Sequence, residues 1–172
     1  HVICKVVDVN RNDHAYESLS SALEYIRDHV NEAYVDGVAT IQMLEDYVKP
    51  DTDDFDVQAG ENIALTTAST SDTLGFHTDR TGDTDTAVIT RGGDGGSMLK
   101  NAGALKLDNI VLDGAKDSYT VEGNGGLVNN TGALTLGADT VLRNSAVSGQ
   151  GGAIYNDGTL TMPGGSITGN TA

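Results

Sequence analysis

The chain is short of most of what builds a conventional globular core. It holds one cysteine, no tryptophan, two phenylalanines and two prolines, and aromatic residues make up 5%. A lone Cys4 permits no intrachain disulfide and no four-cysteine metal site. Its place in the apolar run of residues 2–9 makes it a small buried hydrophobe. Basic residues are scarce too: ten Lys and Arg stand against 25 Asp and Glu, for a formal charge of −15. That excludes nucleic-acid binding through a basic patch and disfavours docking on an anionic bilayer. No apolar stretch approaches the ~18 residues of a membrane span, so no direct membrane insertion is expected. No secretory signal, lipidation motif or anchor is visible. Because the chain opens on His1 and not Met, it reads as part of something longer.

Glycine is what the chain has in excess. Eighteen of its 22 glycines fall in residues 92–172, which implies a fold needing glycine at regular stations. The first part reads differently. Val2–Val9 is rich in β-branched residues and predicts a strand, broken at residues 10–13. Tyr16, Leu19, Leu23, Ile26 and Val30 recur at steps of three and four, one face of an amphipathic helix. Ser18 is placed to cap it, since a serine hydroxyl accepts an otherwise unpaired amide of the first turn. Residues 39–44 return to strand-like alternation, and an acidic segment, residues 51–56, is expected as a loop.

From about residue 57 three short segments recur in fixed order. The first is Ile63-Ala-Leu65, Leu105-Lys-Leu107, Leu134-Thr-Leu136 and Leu160-Thr-Met162, two apolar residues flanking one that faces out. The second is Val88-Ile-Thr-Arg-Gly92, Ile110-Val-Leu-Asp-Gly114, Thr140-Val-Leu-Arg-Asn144 and Ser166-Ile-Thr-Gly-Asn170. Aligned without gaps, its last column is Gly92, Gly114, Asn144 and Asn170, the residue types that most readily take positive φ, so that column is expected to mark a corner. The third begins with the glycine pairs at 95, 125 and 151. Three strands per unit with Gly and Asn corners is the pattern of a three-sided coil, and the pair spacing of 30 and then 26 residues lies in the solenoid range. Asn101, Asn130 and Asn156 each stand two residues before a glycine. They are read either as a ladder of stacked amides or as three independent turns.

These residues carry a resemblance. Gly151-Gly-Ala-Ile154 followed by Ile167-Thr-Gly-Asn170 resembles the right-handed parallel β-helix repeats of bacterial surface proteins and is similar to the paired motifs of polymorphic outer-membrane autotransporter adhesins. Tyr16-Glu-Ser-Leu19 and Thr66-Thr-Ala68 resemble the start of the β-helix in large Gram-positive cell-wall proteins. The resemblance implies an all-β dominated fold, a right-handed three-sided parallel β-helix with an N-terminal βα cap. It implies a secreted or surface-attached bacterial adhesin or stalk, extracellular, whose partner is a host or matrix glycan or protein, and it brings no catalytic residues. The cap and first strand are assigned to residues 1–56 and the coils to 57–172. The C-terminal edge is expected to be open, to continue in further coils, and to shield itself by self-association.

An enzyme is the competing class, since many parallel β-helices are polysaccharide lyases or hydrolases. Glycosidic cleavage needs two carboxylates across the bond, and the outward positions Ala64, Lys106, Thr135 and Thr161 offer none. The best polar row is Arg91, Asp113 and Arg143, which reads either as a site for an acidic sugar or as a solvated ion-pair ladder. Asp51, Asp53, Asp54 and Asp56 are candidate oxygen ligands for calcium, although the spacing fails the EF-hand loop and a solvated acidic loop is the competing reading. No other cofactor is expected. His14, His29 and His77 have no carboxylate or cysteine partner in the sequence pattern and read as turn or surface residues.

Overall fold

The computed structural model describes residues 1–69, 80 and 85–172. The chain begins with an antiparallel pair, β1 (Cys4–Val7) and β2 (Asp13–Tyr16), followed by the helix α1 (Leu19–Asp28) and the short turn α2 (Val30–Ala33). Ser18 caps α1, its hydroxyl accepting the Ser21 N–H at 3.2 Å. Leu19, Leu23 and Ile26 bury the apolar stripe, while Val30 lies beyond the end of α1 and is exposed. The helical period therefore held for only three of its five positions. Tyr16 belongs to β2, a strand that residues 10–16 gave no sign of.

Fourteen strands follow: β3 (Ala39–Met43), β4 (Tyr47–Lys49), β5 (Asp56–Val57), β6 (Asn62–Thr67), β7 (Val88–Arg91), β8 (Leu99–Asn101), β9 (Ala104–Leu107), β10 (Val111–Asp113), β11 (Val128–Asn130), β12 (Ala133–Leu136), β13 (Val141–Arg143), β14 (Ile154–Asn156), β15 (Thr159–Thr161) and β16 (Ser166–Thr168). They form three long sheets that the chain visits in turn. The first contains β3, β6, β9, β12 and β15, the second β4, β7, β10, β13 and β16, and the third β5, β8, β11 and β14. Every neighbouring pair within these sets is parallel. The antiparallel pair extends the first sheet, β1 lying beside β3. The rounds thus start at Ala39 and not at residue 57, because β3, β4 and β5 already pair with β6, β7 and β8.

Parallel in-register stacking turns recurrent apolar residues into columns. Ile63, Leu105, Leu134 and Leu160 form one, and Ile41, Leu65, Leu107 and Leu136 another. One buried apolar cluster runs from Ile3 and Cys4 through these columns to Leu142 and Ala153. Cys4 lies within it, and burial pushes its thiol pKa up, away from reactivity.

The gapless alignment of the second segment is corrected at two of its four rows. Ile89 pairs with Leu112, Leu112 with Leu142, and Leu142 with Ile167, so the Val88 and Ser166 rows slip by one residue. In a strand such a slip exchanges the two faces. Hydrophobic burial selects this register, because Ile89, Leu112 and Leu142 are all fully enclosed. The corner column is corrected as well. Of Gly92, Gly114, Asn144 and Asn170, only Asn144 has positive φ, at 55°. Glycine is required at the first two by close approach: a Cβ would meet the Lys49 carbonyl at 2.8 Å from Gly92, and the Ser145 Cα at 2.5 Å from Gly114. Asn170 instead bridges rounds, accepting the Ser145 N–H and donating to the Leu142 carbonyl. Positive φ recurs instead at Gly96, Gly125 and Gly151, each three residues before the aligned Leu99, Val128 and Ile154.

Candidate functional site

The one-residue slip decides where Arg91 goes. Side chains alternate along β7, so Arg91 shares the inward face of Ile89 and is 3% exposed. It is directly beside Lys49 of β4, itself 7% exposed. Two long cations therefore stand side by side on adjacent strands, one inward station beyond Tyr47 and Ile89. The Arg91 guanidinium donates to the carbonyls of Gly93 (3.2 Å), Gly96 (2.7 Å) and Gly126, filling the turn between the second and third sheets. Burial lowers its pKa, opposed by Asp51 and Asp94. The Lys49 ammonium makes no hydrogen bond and no ion pair among the described residues. Burial likewise lowers its pKa, and the fields of Asp53, Asp51 and Asp54 act against that.

These two cations form part of the wall of a cavity of about 340 Å³, between the loop that follows β4 and the glycine-rich loop that follows β7. Asp51, Asp54, Phe55 and Asp56 come from the first loop and strand, Gly95, Ser97 and Met98 from the second, and Lys100 from β8. Asp51 ties the loops together by accepting the Gly95 N–H at 3.0 Å. A Cβ at Gly93 or Gly95 would collide with that carboxylate, so a side chain at either position displaces Asp51 and loosens the tie. Phe55 is buried, whereas Asp54, Asp56 and Lys100 are exposed.

The four aspartates suggested for calcium do not converge. Asp53 is buried and turned toward α1, where it accepts the N–H groups of Leu19 (2.9 Å) and Ser20 (2.8 Å) and the Tyr47 hydroxyl (2.8 Å). Among the described residues, no group of three or more His, Cys, Asp and Glu is arranged to hold a metal ion. The solvated-loop reading of residues 51–56 is corrected for Asp53, which is a helix cap reaching across the chain.

The row of Arg91, Asp113 and Arg143 does not form either. Asp113 lies opposite Thr90, and only Arg143 reaches it, with Nε donating to Oδ2 at 2.9 Å. Asn144 and the Ala115 N–H complete the coordination of that carboxylate. Arg91 is on the interior face, away from this surface pair. The asparagines do come together: Asn101, Asn130 and Asn156 are in register, and each Nδ2 donates to the next Oδ1 at 2.8 Å.

His14 has a partner that the sequence pattern did not show. Its Nε2 is 2.9 Å from Asp8 Oδ2, and its ring stacks on Tyr25, which stacks in turn on His29. His77 and most of the loop between β6 and β7 lie outside the described residues. Lys49 was not singled out from the sequence. The signal that finds it is the alternation Tyr47-Val48-Lys49, once β4 is aligned against β7 and both flanking side chains are seen to point inward. No family model, curated protein or solved structure matches this chain.

Proposed function

We propose that this chain is a segment of a right-handed, three-sided parallel β-helix acting without catalysis as an adhesin or stalk on a bacterial cell surface. The observation that supports it is the uninterrupted register: each strand from β6 on lies beside the strand three positions before it, in the same parallel sense. Repeating rounds touch only their neighbours, so such an array extends as a rod and presents its outer faces along its length. A net charge of −15 keeps those faces hydrated. The partner is a host or matrix glycan or protein. A screen of the full chain against immobilised glycans and matrix proteins tests this. Saturable binding to one class supports the adhesin, and failure to bind any of them removes it.

The same reading puts self-association at the last strands. Leu160 (37%), Met162 (44%) and Ile167 (39%) are exposed there, continuing columns that are buried in earlier rounds. Apolar strand faces of this kind are covered by a further round or by another chain. Sedimentation that shows concentration-dependent dimers, abolished by Ile167→Lys, supports this, and a monomer at all concentrations overturns it.

A further inference from the structure

The cavity beside Lys49 has a chemical character that narrows its occupant. Lysine only donates hydrogen bonds and an ionised carboxylate only accepts them. Lys49 is 7% exposed as a residue, its side chain lines the cavity, and its ammonium has no acceptor among the described residues. Asp54 and Asp56, on the same wall, make no side-chain hydrogen bonds among the described residues. A bare anion would meet Asp51, Asp54 and Asp56, and a bare cation would meet Lys49, Arg91 and Lys100. A hydroxyl accepts and donates at once, so a pair of neighbouring hydroxyls satisfies the ammonium and the carboxylates together. The volume of about 340 Å³ lies at the lower end of the ~300–1,000 Å³ typical of small-ligand sites.

We infer that this cavity is a subsite for a neutral sugar, whose adjacent hydroxyls accept from Lys49 Nζ and donate to Asp54 and Asp56. The inference rests on the glycan-binding reading above and assigns it a place and a ligand charge. It is tested by titrating the full chain with neutral and uronate-containing oligosaccharides, alongside the variants Lys49→Met, Asp54→Asn, Asp56→Asn and, as a distant control, Arg143→Ala. Circular dichroism and a melting curve confirm folding. Asp54 and Asp56 are exposed, so their variants keep the test valid even where Lys49→Met does not fold. The expected result is saturable binding of a neutral oligosaccharide, weakened at least tenfold by the aspartate substitutions and unchanged by Arg143→Ala. Neutral-sugar binding indifferent to all three cavity substitutions overturns the subsite and leaves the adhesin reading standing. Preference for the uronate, lost with Lys49→Met, overturns the neutral ligand. Matrix-protein binding with no sugar binding overturns the subsite alone, and no binding at all overturns both.

Discussion

The Asp53 carboxylate accepts the backbone N–H of Leu19 at 2.9 Å, across 34 positions of sequence. With Ser20 N–H on its second oxygen, it satisfies two of the unpaired amides that begin every helix. It also puts negative charge at the positive end of the helix dipole. The acidic loop after β4 is thus what fastens α1 to the first round of parallel strands.

Asp53→Ala leaves two helix amides and the buried side of the Tyr47 hydroxyl without their acceptor. Each orphaned group costs about 1–3 kcal/mol, so the urea midpoint falls by an amount equivalent to at least about 2 kcal/mol. Because Asp53 is engaged by the protein itself, adding a chelator leaves the melting midpoint of the native chain unchanged. A chelator-dependent midpoint would mean that the acidic loop holds calcium.

Asn130 is fully buried between two other asparagines, accepting from Asn101 and donating to Asn156 Oδ1 and the Thr159 carbonyl. Asn130→Ala breaks both rungs and is expected to cost about 3 kcal/mol. Asn156→Ala, at the exposed end of the ladder, costs under about 1 kcal/mol, since water replaces what it loses. Equal losses at the two positions in denaturant unfolding would count against a ladder whose strength comes from burial.

Gly132 is three residues beyond β11's aligned Asn129, and a Cβ there would run into the Gly103 carbonyl oxygen of the round beneath. Backbone cannot swing away as a flexible side chain can. Gly132→Ala therefore forces the two rounds apart, at a cost of about 1–3 kcal/mol or more. Thermal unfolding checks this against Gly37→Ala, where the added methyl meets no atom and only the positive φ is strained.

Asp8 is held at a pKa of about 2, first by the hydrogen bond from His14 and then by the Asn12 N–H. Its folded value is below the ordinary carboxylate value, so the stabilisation is present at neutral pH and is lost as pH falls from about 4 toward 2. Asp8→Asn is accordingly less stable than the native chain at pH 7. The difference narrows progressively between pH 4 and pH 2 in acid-unfolding curves. A constant difference over that range would show that the charge on Asp8 contributes nothing.

Arg143 and Asp113 pair on the second sheet's outer face, with Arg143 39% exposed. Exposed ion pairs are worth about 0–1 kcal/mol because water screens the charges and the side chains lose freedom. Arg143→Ala is expected to shift the midpoint by less than about 1 kcal/mol.

Much of the strand order was legible in the chain because stacked rounds repeat the same demand at the same station. The columns headed by Ile63 and Leu65 repeat as apolar residues two apart, and the three asparagines stand at the same distance from a glycine. The first round was not legible. Residues 39–57 lack the glycine pairs that mark later rounds, and Tyr47-Val48-Lys49 has no outward resemblance to Val141-Leu-Arg143. The cavity was legible only in fragments: Arg91 and the three aspartates of its wall, Asp51, Asp54 and Asp56, stand out in the sequence for reasons that do not concern each other.

Local chemistry by itself determined the strands, the Ser18 cap, the glycine stations and the acidic surface, since each follows from a residue's own backbone preference or from a short period. The tertiary structure decided register. A shift of one residue in β7 costs nothing locally, yet it moves Arg91 from a surface row into the interior beside Lys49. Only the packing of Ile89 against Leu112 in the round above selects between the two. Asp53 was likewise decided at long range, because its partners Leu19 and Ser20 are 34 and 33 positions away and are brought within reach only by packing of the loop after β4 against the helix.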